Sequence, residues 1–230
     1  GTECDKVRPW SQLQARKGTM VLADWWGRVT GNTGKREVFP SRFGEATVYA
    51  MPAEDGSLVR MLNVGGVLQS ATYLDERWAT CPFAYLRSFD HLFEAALPEA
   101  PDPLIVNRVL MLGGAGFAYP KQLLLEHPGV ALDVVEIDPA MVQIARERFF
   151  LDRLETQLAD EGRADDLRIF MEDGEAFLRR LDGDPYDVII NDVFVGREAV
   201  PFFASDEGIA CARARLTSGG LLMANCVVEY

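Results

Sequence analysis

Cysteines, histidines and long apolar runs are scarce in this sequence. Its 230 residues include four cysteines and two histidines, and no two cysteines form a CxxC pair. A structural zinc site is therefore not expected. No apolar stretch approaches the roughly 18 residues that a membrane-spanning helix needs, and the first residues show no signal-peptide pattern. We expect a cytoplasmic protein that has no membrane contact.

Basic residues are also few compared with acidic ones. The 23 Lys and Arg residues are outnumbered by 35 Asp and Glu residues, which gives a net charge of −12. Such a chain would repel the phosphates of a nucleic acid and would weakly attract a cationic substrate. Hydrophobic residues make up 48%, as in an ordinary globular protein. Cys226 lies in an apolar run, where a buried free thiol is expected.

Residues 109–139 have the pattern of a nucleoside-binding unit. A short apolar run precedes a glycine turn, a helical segment and a second apolar run that ends in acids. The glycines are Gly113, Gly114 and Gly116. Glycines allow a tight turn and close approach of a ligand, and the start of a helix offers unpaired N–H groups. An acid about 20 residues later can accept hydrogen bonds from both ribose hydroxyls, and Glu136 fits that place, with Asp138 as the alternative.

Alternating β and α patterns in the second half of the chain predict a parallel sheet covered by helices on both faces. Strands are expected near 107–112, 131–136, 167–171, 186–191 and 220–227. Helices are expected near 119–127, 139–151, 173–182 and 205–216. The charged insertion 152–166 is expected to be partly helical and exposed to solvent.

Short β segments precede this region and predict a small antiparallel unit. They are 46–51, 58–62 and 67–69. Phe and Leu residues at helical spacing then predict a helix over 82–97. We therefore expect an N-terminal segment, 1–78, and a Rossmann-like domain, 79–230. Trp25 and Trp26, in the first segment, are expected to pack in a core.

Ligands of such sheets bind at the carboxyl ends of the strands. The third strand is followed by Asp173 and Gly174, and the fourth by Asp192. Two interpretations of Asp173 stay open, a cap of the following helix or a ligand contact. Asp192 follows the apolar run 188–190, and we interpret it as a functional residue.

These motifs together resemble the spermidine synthase family of aminopropyltransferases. The resemblance covers roughly residues 43–228. It is carried by VLMLGG, VVEIDP, the Glu-Asp-Gly at 172–174, YDVIINDVF, and the 66–69 turn followed by Phe83-Ala84-Tyr85. Because the family shares its core with class I methyltransferases, the fold implied is α/β, with a Rossmann-like parallel sheet and a small N-terminal β unit.

The resemblance implies a co-substrate, decarboxylated S-adenosylmethionine or S-adenosylmethionine, and roles for individual residues. The glycines would line its thioadenosine and sulfonium end, and Glu136 would hold the ribose. Asp173 with Gly174 would meet the adenine. Asp192 and Tyr85 would be catalytic residues at the reacting amine, with Gln69 and Tyr85 in the substrate pocket. No metal is needed, and the implied partners are a small polyamine-like amine and a second copy in a homodimer.

Three positions depart from the family pattern. Gly116 and Val195 stand where the family has acids, and Leu86 stands where it has a glutamine. The nucleoside half is thus retained, and much of the diamine-holding half is lost. Besides aminopropyl transfer, a methyltransferase and a non-catalytic nucleoside-binding homologue stay open. The sequence ends at Tyr230, right after the fifth expected strand, where the family fold continues with a helix and an antiparallel strand pair. Two interpretations stay open, a sequence that stops early or a sheet that lacks the family's usual C-terminal strands.

Overall fold

A computed structural model describes residues 36–94, 104–180 and 182–226 of the chain. Trp25, Trp26 and Tyr230 lie outside these ranges, and the expectations on them stay predictions. Within the ranges, the helices are too short or too polar to cross a membrane.

The first four strands form an antiparallel sheet in the order β1-β2-β3-β4. They are β1 (Glu37–Ser41), β2 (Gly44–Pro52), β3 (Leu58–Val64) and β4 (Val67–Tyr73). The last three confirm the predicted β segments, with longer bounds. β1 was not predicted, and Pro40 in it is compatible with its place at the edge of the sheet.

A five-stranded parallel sheet forms the second layer, in the order β11-β8-β5-β6-β7. Its strands are β5 (Arg108–Leu112), β6 (Ala131–Val135), β7 (Leu167–Phe170), β8 (Tyr186–Asn191) and β11 (Leu216–Ala224). A short hairpin, β9 (Phe194–Val195) with β10 (Glu198–Ala199), follows β8. All five predicted strands are present, and the predicted fold class is confirmed.

Six α-helices accompany the strands in the described ranges. They are α1 (Ala84–Arg87), α2 (Ala118–Glu126), α3 (Pro139–Arg148), α4 (Leu151–Asp160), α5 (Gly174–Arg179) and α6 (Asp206–Ala214). Four of them match the helices predicted between the strands. Three short 3₁₀ segments, Ser88–Phe93, Ala164–Asp166 and Pro201–Ala204, complete the described helical structure.

Two of the expected helical features differ in the structure. The segment predicted as one helix over 82–97 is α1 followed by the 3₁₀ segment Ser88–Phe93. Its buried residues Leu86, Phe89 and Leu92 recur every third position, which suits the three-residue turn of a 3₁₀ helix. The charged insertion is helical, as predicted, but not simply exposed. Its helix α4 is amphipathic and buries Leu151, Leu154 and Leu158 in the core.

Cys226 is exposed, so the expectation of a buried thiol was wrong. The reason is the position of β11 at the edge of the parallel sheet. This strand pairs with β8 on one side, and its residues are half-buried or exposed. An apolar run therefore indicated a strand correctly, but not a central one.

The antiparallel sheet shares a hydrophobic core with α3. The residues of this core are Ala46, Val48, Leu62, Val64, Met141, Ile144 and Phe149. Three polar contacts reinforce it: Arg148 with Glu37, Arg60 with the Arg148 carbonyl, and the Arg42 N–H with Asp138. The antiparallel sheet is therefore fixed against the helix that follows β6, near the end of the strand where the predicted site lies.

Candidate active site at the carboxyl ends of the parallel strands

The glycine turn after β5 is tightly fitted to its neighbours. Gly113 has φ +88°, and its N–H donates to the Val135 carbonyl at 2.9 Å. A Cβ at this position would lie 2.7 Å from the Asp192 carbonyl oxygen, so only glycine fits. Ala115 and Phe117 have φ of 42° and 56°, a left-handed backbone that is strained for residues with side chains. Such strain is common at ligand sites.

Glu136 binds the glycine turn directly. Its side chain is 7% exposed, and Oε2 accepts hydrogen bonds from the N–H groups of Gly114 at 3.0 Å and Ala115 at 2.9 Å. Its Oε1 accepts from the Asp138 N–H at 2.9 Å. Burial raises the pKa of Glu136, and the three N–H donors counteract that rise. A carboxylate has about four acceptor positions, so one is left. We had expected Glu136 to accept from both ribose hydroxyls, but the remaining position accommodates one.

Asp138 has a structural role at the start of α3. It is 3% exposed, its Oδ1 accepts from the Ala140 N–H at 3.0 Å, and its Oδ2 accepts from the Arg42 N–H at 2.7 Å. The first bond caps the helix, and the second ties the β1–β2 turn to it. Each oxygen thus accepts one hydrogen bond, and the ribose role of Asp138 stays a prediction.

Asp173 caps α5 and still has a free oxygen. Its Oδ1 accepts from the Ala176 N–H at 2.9 Å, and the side chain is exposed. The capping interpretation of Asp173 is therefore correct, and its other oxygen leaves the ligand interpretation open. A Cβ on Gly174 would lie 3.2 Å from the Phe203 ring. Asp173 and Gly174 thus lie beside an apolar wall, a suitable environment for a flat base.

Asp192 and Tyr85, distant in sequence, meet at the end of β8. The Tyr85 hydroxyl lies close enough to the half-buried Asp192 carboxylate for each group to shift the pKa of the other. Burial raises the pKa of Asp192 to about 6, against the hydrogen bond from Asn225 and the influence of the Tyr85 hydroxyl. Burial likewise raises the pKa of Tyr85, which therefore stays a neutral donor at physiological pH. The structure thus brings together the two residues that we predicted for the reacting amine.

The sequence analysis missed Asn225, the second partner of Asp192. Its Nδ2 donates to Asp192 Oδ1 at 2.9 Å. We had included position 225 in the interior of the last strand, whereas β11 ends at Ala224. A polar residue that interrupts an apolar run at a strand end was the signal that could have identified it.

Gln69 lies at an irregularity of β4. Leu62 pairs with Ser70 and Asn63 pairs with Leu68, so Gln69 has no partner across the sheet. Such β-bulges redirect a side chain and are frequent near active sites. The next residue, Ser70, is buried against the glycine turn, because a Cβ on Gly116 would lie 2.5 Å from Ser70 Oγ. Gln69 therefore lies near the glycine turn. At position 116 the acid that the family has there would not fit.

Leu86 and Val195, the other two positions that differ from the family pattern, lie in different environments. Leu86 is buried in the core of the parallel domain. Val195 is 51% exposed on the hairpin of β9 and β10. Neither side chain can hold a charged amine by hydrogen bonding.

Sheet order, glycine turn and acids at successive strand ends define a Rossmann-like α/β protein of the class I methyltransferase type, extended by an antiparallel sheet. No family model matches the chain. Two curated relatives are polyamine aminopropyltransferases. One, from Vibrio vulnificus (strain CMCP6), is 28% identical over 163 residues, which are 70% of this chain and 49% of that protein. The other, from Agathobacter rectalis, is 37% identical over 114 residues, which are 49% of this chain and 35% of that protein.

Solved structures show the same fold. A probable spermidine synthase from Corynebacterium glutamicum has a TM-score of 0.65 at 22% identity, over 84% of this chain and 64% of that one. Spermidine synthase from Thermotoga maritima has a TM-score of 0.57 at 18% identity, over 84% and 57%. The predicted resemblance to the spermidine synthase family is confirmed, as a divergent relative. The chain spans about half the length of the first curated relative.

Proposed function

We propose that this chain acts as a transferase that moves the aminopropyl group of decarboxylated S-adenosylmethionine to a small amine. The contact between Tyr85 and Asp192 carries the proposal. The backbone carbonyl of Asp192 packs against Gly113, so this acid follows β8 at the strand end where the sulfonium nucleoside is expected. The relatives named polyamine aminopropyltransferase support the same reaction.

The glycine turn favours a nucleoside that has no carboxylate. S-adenosylmethionine carries a carboxylate, and free backbone N–H groups at a glycine turn are suitable donors for such an anion. Here the N–H groups of Gly114 and Ala115 already bind the carboxylate of Glu136. A second carboxylate would find these donors occupied and a negative charge beside them. Decarboxylated S-adenosylmethionine, which ends in an amine, avoids both penalties.

Asp192 suits the chemistry of the acceptor amine. The nitrogen lone pair attacks the methylene next to the sulfonium, the C–S bond breaks, and its electron pair stays on sulfur in methylthioadenosine. The proton lost by the attacking nitrogen passes to the Asp192 carboxylate. A pKa raised to about 6 by burial leaves the carboxylate ionised at neutral pH and more basic than an ordinary aspartate. The site also aligns the two reactants, which supplies much of the acceleration.

Product analysis tests this proposal. The protein is incubated with decarboxylated S-adenosylmethionine and a panel of monoamines, diamines and polyamines, and the products are identified by mass spectrometry. We expect methylthioadenosine and an aminopropylated amine in equal amounts. Asp192→Asn should reduce the rate at least about 100-fold, in the range of general-base catalysis, and spare nucleoside binding. Asp165→Asn, an exposed substitution in a 3₁₀ turn, is the matched control. A methylated product from S-adenosylmethionine would instead assign methyl transfer.

Calorimetry with the two sulfonium nucleosides tests the nucleoside half separately. We expect decarboxylated S-adenosylmethionine to bind at least about tenfold more tightly, equivalent to about 1.4 kcal/mol. Equal affinities would remove the support that Glu136 and the glycine turn give to aminopropyl transfer.

The acceptor and the assembly are proposed from the resemblance alone. We propose a polyamine-like amine as acceptor, a homodimer in the cytoplasm, and a division into residues 1–78 and 79–230. The charge of −12 is compatible with a cationic acceptor. Sedimentation velocity would give the oligomeric state, with a single monomeric species contradicting the dimer.

A further inference from the structure

The backbone of Asp192 is held firmly, which leaves its side chain as the variable part of the site. Its N–H donates to the Leu112 carbonyl at 2.9 Å, which continues the pairing of β8 with β5. Its carbonyl packs against Gly113 so closely that a Cβ there would lie 2.7 Å from the oxygen. The carboxylate direction therefore depends on the side-chain torsions and on the groups that bond to the oxygens.

Asn225 reaches the carboxylate from a backbone position that is also fixed. Its N–H donates to the Asn191 carbonyl at 2.9 Å, one residue beyond the end of β11. This bond continues the parallel pairing of β11 with β8 and places the Asn225 side chain beside Asp192. The amide Nδ2 then donates to Asp192 Oδ1 at 2.9 Å. Two strand ends are thus joined by one main-chain and one side-chain hydrogen bond.

We propose that Asn225 is a positioning residue, which orients the Asp192 carboxylate toward the acceptor amine and keeps it ionised until it takes the proton of the amine. The inference rests on the proposed function and goes further, because it assigns a role to a residue outside the motifs of the sequence. An amide that holds Oδ1 stops rotation of the carboxylate and leaves acceptor positions for the amine. Hydrogen bonds to an ionised carboxylate are stronger than those to its neutral form.

Few other groups act on this carboxylate. Among the described residues, those that change the protonation of Asp192 are Asn225 and the neutral phenol of Tyr85. Cys81 acts on the pKa of Tyr85 in turn. Burial acts against the ionised form, whereas the Asn225 hydrogen bond and the Tyr85 hydroxyl act in its favour. Because no cation in the described part of the chain acts on this carboxylate, we expect loss of the Asn225 amide to raise the pKa of Asp192.

The direct test is a titration of Asp192 by carboxyl carbon NMR, with the signal assigned by its loss in Asp192→Asn. The wild-type signal should titrate near pH 6. In Asn225→Leu we expect the midpoint to rise by about one pKa unit, since one charge-assisted hydrogen bond is lost. Asn225→Gln, which keeps a donor, should recover part of the shift. Asn107→Leu, an exposed position before β5, is the matched control.

Kinetics give the second measurement. In Asn225→Leu, the acid limb of the plot of kcat/KM against pH should shift to higher pH by the same amount as the NMR midpoint. Nucleoside affinity should change less than about twofold. If this variant folds poorly, Asn225→Ser is measured instead. An unmoved NMR midpoint with a uniformly lower rate would indicate a merely structural residue and overturn the inference. If the midpoint moves but the wild type aminopropylates no amine, the proposed function fails and the positioning role of Asn225 stands.

Discussion

Among the described charged side chains, Lys121 is the least exposed, at 1%. Its Nζ donates to Thr72 Oγ1 at 2.9 Å and to the Phe149 carbonyl at 2.7 Å. A neutral amine has two N–H donors, so both are used, whereas an ammonium would have a third. Burial lowers the pKa of Lys121 to about 7. This residue joins β4, α2 and the end of α3, and it becomes an uncharged group as the pH rises above neutral.

Lys121 should therefore make the stability depend on pH. In the unfolded chain a lysine titrates near 10.4, so between pH 7 and 10 the unfolded state binds more protons. The free energy of unfolding must then rise with pH across this window. Below pH 7 Lys121 is a buried ammonium, and there it destabilises the folded state most. We expect the difference in unfolding free energy, wild type minus Lys121→Met, to increase by a few kcal/mol from pH 7 to 10. Denaturant unfolding at several pH values measures this difference. A difference that stays the same at every pH would contradict the lowered pKa of Lys121.

Glu136 is a second buried group whose charge matters locally. In Glu136→Gln one oxygen becomes an NH₂ group, so the remaining oxygen can accept either from Gly114 and Ala115 or from Asp138, but not from all three N–H groups. We expect the nucleoside to bind about 10- to 100-fold more weakly, because the glycine turn is anchored less firmly and the ribose has fewer acceptor positions. Calorimetry measures the affinity. Glu45→Gln, an exposed strand residue, is the control, and unchanged affinity in Glu136→Gln would exclude the ribose role.

At the scale of elements, the contact of β4 with the glycine turn decides how the two sheets join. Ser70 is 2% exposed, and its Cβ would lie 2.6 Å from a Cβ at position 116. Neither partner can move easily, because Ser70 is paired with Leu62 and the turn is anchored to Glu136. Close packing of β4 thus excludes any side chain at Gly116.

A double-mutant cycle tests this contact. Gly116→Ala should destabilise the protein by about 1–3 kcal/mol through overpacking. Ser70→Gly should relieve the clash, so that the double variant is more stable than the sum of the single changes predicts, with a coupling of about 1 kcal/mol or more. Thermal or denaturant unfolding gives the four free energies. Additive changes would show that the turn and β4 move apart without cost.

At the scale of the molecule, the acids of the parallel sheet lie in two different environments. Asp133, in the middle of β6, is bound by Arg108, Arg168 and Tyr186. Burial alone would raise its pKa, but these hydrogen bonds lower it overall. The acids Glu136, Asp173 and Asp192 lie at the carboxyl ends, where the cationic reactants are proposed to bind. The chain as a whole carries −12.

This arrangement should attract cationic acceptors over a distance. We expect kcat/KM to fall several-fold as ionic strength rises from about 0.01 M to 0.15 M, because the Debye length falls from about 30 Å to 8 Å. The fall should be steeper for a diamine than for a monoamine of the same length. Initial rates at saturating nucleoside measure both slopes. Equal slopes for the two acceptors would show that net charge does not steer them.

Much of the fold was available in the sequence, because its signals are local. The apolar runs of β5, β6 and β8 reflect burial on both faces, and the glycine turn reflects a backbone that only glycine fits at position 113. The 3₁₀ type of the segment after α1 could not be predicted, since a spacing of three residues and one of 3.6 differ little over a short stretch.

The sequence by itself determined the class of fold, the position of the glycine turn and the acids at the strand ends. Only the tertiary structure decided what those acids bind. It gave both oxygens of Asp138 to Ala140 and Arg42, three acceptor positions of Glu136 to backbone N–H groups, and the carboxylate of Asp192 to Tyr85 and Asn225. The physical reason is range. Periodicity and turn preferences act between near neighbours, whereas hydrogen-bond partners and burial depend on segments that meet only when the two sheets pack.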